Sequence, residues 1–318
     1  MAANWMRRTA LVTACATAVL LAACGSSTTE SALSPSRFIA FGDAAADVGQ
    51  NGASYTVNDS SLNNWTRYVA AQYGKELKPS NQGGLSYAFG NARIAATPDA
   101  AGNAATPTVA AQIDSFLASG GALQKDDVVL LSAGTSDLIV GLSAVIAGTQ
   151  TAAQYEASAR SLGAQYADQI RRLTNAGAKH VVFSGSYDLG KSRWAVEKVQ
   201  VPAAEAASKA FNEALLIGVN DLGDSALYVD LAYYVNLYTY SPNSYGFNNA
   251  TTPVCTSVDA GPGIGIGAGE INSSLCTTST LIAGANQDTY LFADKVYLTP
   301  SAYRQFGVYA YDKLRLRW

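Results

Sequence analysis

Charge is scarce in these 318 residues: Asp, Glu, Lys and Arg together make up 14 %, against about 25 % in an ordinary globular domain. Alanine, glycine, serine, threonine and asparagine fill the gap, a composition suited to an exported protein. The formal net charge is −3, and the chain has no lysine/arginine cluster, so a nucleic-acid surface is excluded as a partner. Histidine is scarcer still, with His180 the single one. With only four cysteines, no CxxC spacing and no histidine beside them, the ligand set is too small for a zinc site. No metal and no cofactor are expected. No internal repeat is present, and nothing in the chain predicts a membrane β-barrel.

What is present begins with a targeting segment. "MAANWMRR" supplies a positive region and "TALVTACATAVLLAA" an apolar stretch too short to span a bilayer comfortably. It closes on Leu21-Ala22-Ala23-Cys24, followed by Gly25-Ser26-Ser27. Small residues before a cysteine at the end of such a run resemble a bacterial lipoprotein signal. That resemblance implies cleavage of residues 1–23 and lipidation of Cys24, with residues 24–36 as a flexible tether. The membrane would then be a partner through the lipid on Cys24. Gly25 lacks the aspartate linked to inner-membrane retention, so an outer-membrane lipoprotein facing the periplasm or the cell surface is expected. Cys15 leaves with the signal, and Cys255 and Cys276 are expected to pair in an oxidising compartment.

Beyond the tether, short apolar runs alternate with helical patterns. Strands are predicted at Phe38–Phe41, Val128–Ser132, Val181–Ser184 and Ala226–Val229. Helical stretches fall near 62–73, 109–118, 151–176 and 203–221, and a last helix runs from Pro300 to Leu316. This alternation predicts an α/β fold, a parallel sheet with helices on both faces, whose site lies at the carboxyl ends of the strands. Residues 37–318 read as one domain, interrupted at about 238–288 by an insert rich in Asn, Ser, Thr and Gly that holds both late cysteines. Its "GPGIGIGAG" does not match G-x-G-x-x-G and has no flanking strand and helix, so it is expected as a flexible stapled loop. The tyrosines of "LAYYVNLYTYSPNSYGF" could line a surface for sugars, acyl chains or a partner protein, or simply pack beneath that loop.

Four segments carry the chemistry. They are "FGDAAADVG" after the first strand, "SYAFGNARI", "LLSAGTSDL" and "YLFADKVYLTP". Together they resemble the GDSL (SGNH) ester-hydrolase family, with "NAGAKHVVFSGSYDLG" as a supporting match. The resemblance implies a three-layer αβα, flavodoxin-like fold. It also places Ala44 where the family has its nucleophilic serine, in Gly42-Asp43-Ala44 against Gly-Asp-Ser. Gly90 matches the oxyanion-hole glycine, Ser136 stands for the asparagine of Gly-x-Asn-Asp, and Tyr297 stands for the histidine of Asp-x-x-His. Asp294 is the retained acid, while Asp43 and Asp47 organise the turn.

Each replacement removes a distinct function. Alanine cannot attack a carbonyl, tyrosine with its ordinary pKa near 10 is a poor base, and serine is too short to place an amide donor. In a comparable triad the loss of nucleophile or base alone costs about a million-fold. His180 opens a strand, at the end away from the expected site, and cannot substitute. Ser hydrolysis by this constellation is therefore not expected. Backbone N–H groups at Ala44 and Gly90 are expected to remain pointed into a pocket, with Ser136 beside them, able to receive a carbonyl or carboxylate of an acylated glycan or protein ligand. Asp294 and Tyr297 are expected as a packed, hydrogen-bonded pair. The alternative is an active ester hydrolase or acyltransferase with Ser136 as an unconventional nucleophile.

Overall fold

The computed structural model describes residues 31–120 and 122–318. The signal segment, Cys15, Cys24 and most of the tether lie outside the described residues.

Three runs of apolar residues form the centre: β1 (Arg37–Gly42, RFIAFG), β2 (Asp127–Ser132, DVVLLS) and β3 (His180–Ser184, HVVFS). They are buried almost throughout because both faces of the sheet are covered, which is why they read as unbroken hydrophobic runs rather than alternating ones. A short β4 (Ala226–Tyr228) completes a parallel sheet of order β1-β2-β3-β4. Leu85–Phe89 runs along the free edge of β1, with Ala40 N–H donating to Leu85 O (3.0 Å) and Tyr87 N–H to Ala40 O (2.7 Å). Counting that segment, the order is the flavodoxin-like 2-1-3-4-5.

Among the described residues eight α-helices surround the sheet: α1 (Trp65–Gln72), α2 (Val109–Ala118), α3 (Thr135–Ile146), α4 (Ala152–Asn175), α5 (Arg193–Glu197), α6 (Val201–Gly218), α7 (Leu231–Tyr240) and α8 (Pro300–Arg317). Their starts are chemically marked. Thr151 and Gln154 form a reciprocal capping box on α4. Thr299 caps α8 and Pro300 occupies its first turn, where a missing N–H costs nothing. Helix α1 packs on α8 through Trp65 and Phe306, 5.5 Å apart edge to face. Helix α4 packs on α6, where Tyr166 stacks on Phe211.

The insert is anchored at several points. Cys255 and Cys276 form the expected disulfide, with a Cα–Cα distance of 5.8 Å, and both are buried. A two-stranded hairpin, β5 (Val258–Asp259) with β6 (Glu270–Ile271), lies between them. The glycine stretch expected as a flexible loop is packed down instead: Ile264 and Ile266 are buried, Asn91 Nδ2 donates to Gly263 O (3.0 Å) and Ser143 Oγ to Gly265 O (3.2 Å). The tyrosine run before it is helix α7. Tyr234 lies 4.2 Å from Tyr309 of α8, and Tyr238 is fully buried against Tyr245 and Phe247.

Candidate functional site

Parallel register brings Gly42, Ser132 and Ser184 to the same carboxyl end of the sheet. Gly42 ends β1 with φ 143°, and a Cβ there would lie 2.0 Å from Ser132 O, so only glycine lets the chain turn at this point. Gln112 of α2 clamps the turn, its Oε1 accepting Gly42 N–H (2.8 Å) and its Nε2 donating to Gly42 O (2.9 Å).

The next residues close a tight helical turn, with Ala46 and Asp47 N–H both donating to Asp43 O at 3.0 Å. The Asp43 carboxylate accepts Ala45 N–H on Oδ1 and Ser136 N–H on Oδ2, each at 3.2 Å. It therefore ties the turn to the N-terminus of α3, where the dipole favours negative charge. Burial nevertheless dominates and pushes Asp43 up to about 7, with the nearby Asp137 charge acting the same way. Ala44, at the position of the nucleophile in the resemblance, is 1 % exposed.

Asp47 is turned inward as well. Its Oδ1 accepts Gly49 and Gln50 N–H at 2.8 Å each, and its Oδ2 accepts Gly90 N–H at 2.7 Å. Burial lifts it to about 6 against those three bonds. This corrects one expectation: the Gly90 N–H does not face an open pocket, because Asp47 has taken it. The space in front of Gly90 is also filled. A Cβ on Gly90 would fall 1.7 Å from the ring of Tyr55, and the same ring meets Tyr297 edge to face at 5.6 Å. Ala44, Ser136, Asp294 and Tyr297 are all at most 2 % exposed. The pocket expected at these positions is thus a packed interior.

Helix α3 presents Thr135, Ser136 and Asp137. Asp137 reaches the loop after Gly90, accepting Arg93 Nε–H (3.0 Å) and Ile94 N–H (2.8 Å). Ser136 Oγ and the Tyr297 hydroxyl are neighbours, close enough for the serine to favour the phenolate. Neither oxygen has a partner with hydrogen-bond geometry among the described residues. Asp43 accepts the Ser136 N–H and not its hydroxyl, and Asp137 is turned to Arg93 and Ile94, so neither carboxylate is hydrogen-bonded to Ser136 Oγ as a base.

Asp294 and Tyr297 are packed together and hydrogen-bonded, through the tyrosine's backbone N–H and not its hydroxyl. Asp294 Oδ1 accepts the N–H groups of Val296 (2.7 Å) and Tyr297 (2.6 Å), and its Oδ2 accepts Ser273 N–H (3.1 Å). The link to Tyr297 therefore runs through the backbone, because a carboxylate two and three residues ahead of those amides closes a local turn. Burial raises Asp294 to about 6. Burial likewise raises Tyr297 well above its ordinary value, and the Asp43 and Asp294 charges add to it. His180 opens β3 at the far end of the sheet. Its Nδ1 lies 3.3 Å from Asp127 O, and its ring meets Trp318 edge to face at 4.8 Å.

Tyr55 is the residue that sequence reasoning missed. It sits in "NGASYTV", a loop segment with no motif, and nothing local marks it as a partner of Gly90. Its position is set by Asn58, whose Oδ1 accepts Ser54 N–H (2.8 Å) and whose N–H donates to Cys276 O (2.8 Å). Thr56 Oγ1 donates to Leu298 O (2.8 Å). The disulfide-closed insert and the Asp294 loop thus hold the Tyr55 segment from both sides.

No group of three or more His, Cys, Asp or Glu side chains able to hold a metal ion occurs among the described residues. A family model described as GDSL-like lipase/acylhydrolase matches residues 38–309, the span from the second residue of β1 into the last helix. No curated protein matches the chain.

Proposed function

The chain belongs to the GDSL-like lipase/acylhydrolase family, and we propose that within it this protein is an envelope lipoprotein that lacks Ser-His ester hydrolysis and acts by binding. The observation that carries this reading is Ala44: the strand, the glycine and the tight turn that would display a nucleophile are all built, and the side chain they hold has no reactive atom. Tyr297 supports it, since a phenol held well above its ordinary pKa takes no proton from a hydroxyl at neutral pH. The single histidine stands at the opposite end of the sheet. Asp294 spends its carboxylate on three amides, a structural use of a catalytic acid. With Tyr55 lying against Gly90, a ligand of the resting protein docks on the surface around the turn and not in it.

A short-chain acyl ester assay on the purified protein tests the loss of catalysis. No turnover above the uncatalysed rate is expected. Turnover at ordinary enzyme rates, on the order of 1 s⁻¹ or more, that Asp294→Ala abolishes would overturn the reading. The anchor is tested separately: Cys24→Ala is expected to move the protein from the membrane fraction to the soluble fraction, and unchanged partitioning would refute lipidation at Cys24.

A further inference from the structure

Arg67 is a cation without a counter-ion. Every other arginine among the described residues meets a carboxylate in an ion pair or, at Arg315, lies over a tyrosine ring. Arg67, on α1, is half-buried and has only neutral partners: Nη1 donates to Asn63 Oδ1 (3.2 Å), and Nη2 donates to Val48 O. Burying a guanidinium beside neutral groups alone is costly, and desolvation accordingly lowers its pKa. The two carboxylates that oppose this lie beyond ion-pair reach. Asp47 is committed to the Gly49, Gln50 and Gly90 amides, and Glu76 is exposed and paired with Lys78 at 3.0 Å.

The guanidinium lines two neighbouring hollows that also share Pro79 and Gln82. One, of about 560 Å³, carries Lys75, the paired Glu76 and Lys78, and the hydroxyl residues Ser60 and Ser61. The other, of about 240 Å³, is walled by Gly49 and Gly52, just past the β1 turn. Its one acid, Asp59, is engaged by Ser61 Oγ and Gln287 Nε2, each at 2.6 Å. The unpaired charge therefore borders concave space beside the loop that follows β1.

We propose that Arg67 anchors an anion-binding site that takes a carboxylate or phosphate group of an acidic glycan, with Lys75 as a second cation at the rim. A concave hollow with its cation recessed receives a single chain better than a flat lipid surface, and the serine and glutamine side chains suit sugar hydroxyls. The site does not depend on whether the family's catalysis is lost.

Isothermal titration of the purified protein with a galacturonic-acid trimer, the neutral galactose trimer and inorganic phosphate tests it. The acidic trimer is expected to bind, phosphate to compete and the neutral trimer not to bind. Arg67→Gln is expected to weaken binding about tenfold or more, the loss of a charge-assisted pair. The exposed Lys75→Ala is expected to weaken it several-fold and flatten its salt dependence, a readout available even where Arg67→Gln fails to fold. Unchanged affinity in both variants would overturn the site. So would phosphate binding without the acidic trimer, or a preference for phosphatidylglycerol over phosphatidylcholine vesicles without trimer binding.

Discussion

Stability is expected to fall, not rise, as the pH climbs from about 4.5 to 7.5. The cause is the set of inward carboxylates, above all Asp43. In the unfolded chain an aspartate titrates near 3.9, whereas burial holds native Asp43 near 7. Between those values the native state keeps a proton that the unfolded chain has released, so more protons are bound to the folded form and raising the pH favours unfolding. The contribution is complete below about pH 4 and is lost as the pH passes through about 7. At ~1.4 kcal/mol per pH unit, Asp43 alone accounts for about 4 kcal/mol across the window. Asp47 and Asp294, each lifted to about 6, add in the same direction. Asp127 works the other way: although burial opposes it, its ion pair with Arg37 (2.5 Å) holds it below its ordinary value, so stability drops again at more acid pH. The maximum is therefore expected at about pH 4–5. Urea unfolding followed by the fluorescence of the buried Trp65 and Trp194, at half-unit steps of pH, measures the slope. In Asp43→Asn the slope between pH 5 and 7.5 should shrink by the Asp43 share, even though weakened contacts to the Ser136 and Ala45 amides lower stability overall. A wild-type profile that is flat or rising over this range, or an unaltered slope in Asp43→Asn, would refute the reasoning.

Gly90→Ala should destabilise by about 1–3 kcal/mol through overpacking, since the new methyl overlaps the Tyr55 ring. Tyr55→Ala should largely cancel that penalty, and additive losses in a double-mutant cycle of urea midpoints would show that the ring does not occupy this space. Cys255→Ser/Cys276→Ser should cost about 3 kcal/mol for a loop with a sequence separation of 21. It should also speed amide exchange at Asn58, which donates to Cys276 O; protection there equal to wild type would mean that the insert does not hold the Tyr55 segment.

The sheet was legible because its strands are contiguous apolar runs, and Arg37–Gly42, Asp127–Ser132 and His180–Ser184 extend their predicted spans by only a residue or two. Helix α3 was not read as a helix. Its sequence TSDLIVGLSAVI carries glycine and β-branched residues that lower propensity, and only packing makes it helical. Leu85–Phe89 was equally hidden, a segment of five residues directly after Gly83-Gly84 that joins the sheet through three backbone bonds. In the site, sequence named the positions that differ from the pattern of the resemblance but not where the polar groups around them would turn. Asp47 reaching Gly90 across 43 residues and Ser273 reaching Asp294 are tertiary events, decided by which amides are left needing an acceptor once the interior closes.

The Tyr55 ring against Gly90 has a consequence for descent. Replacing Ala44 by serine would return a nucleophile to a room already occupied, facing an oxyanion glycine whose amide is spent on Asp47 and an acid whose oxygens hold the 273 and 296–297 backbone. A lineage that starts from this arrangement gains nothing from any one reversion, because each is useful only after the others and after the tyrosine has left. On the proposed reading, in which the protein acts by binding, the packed turn would act as a ratchet: selection could refine the bound ligand far more easily than it could install hydrolysis.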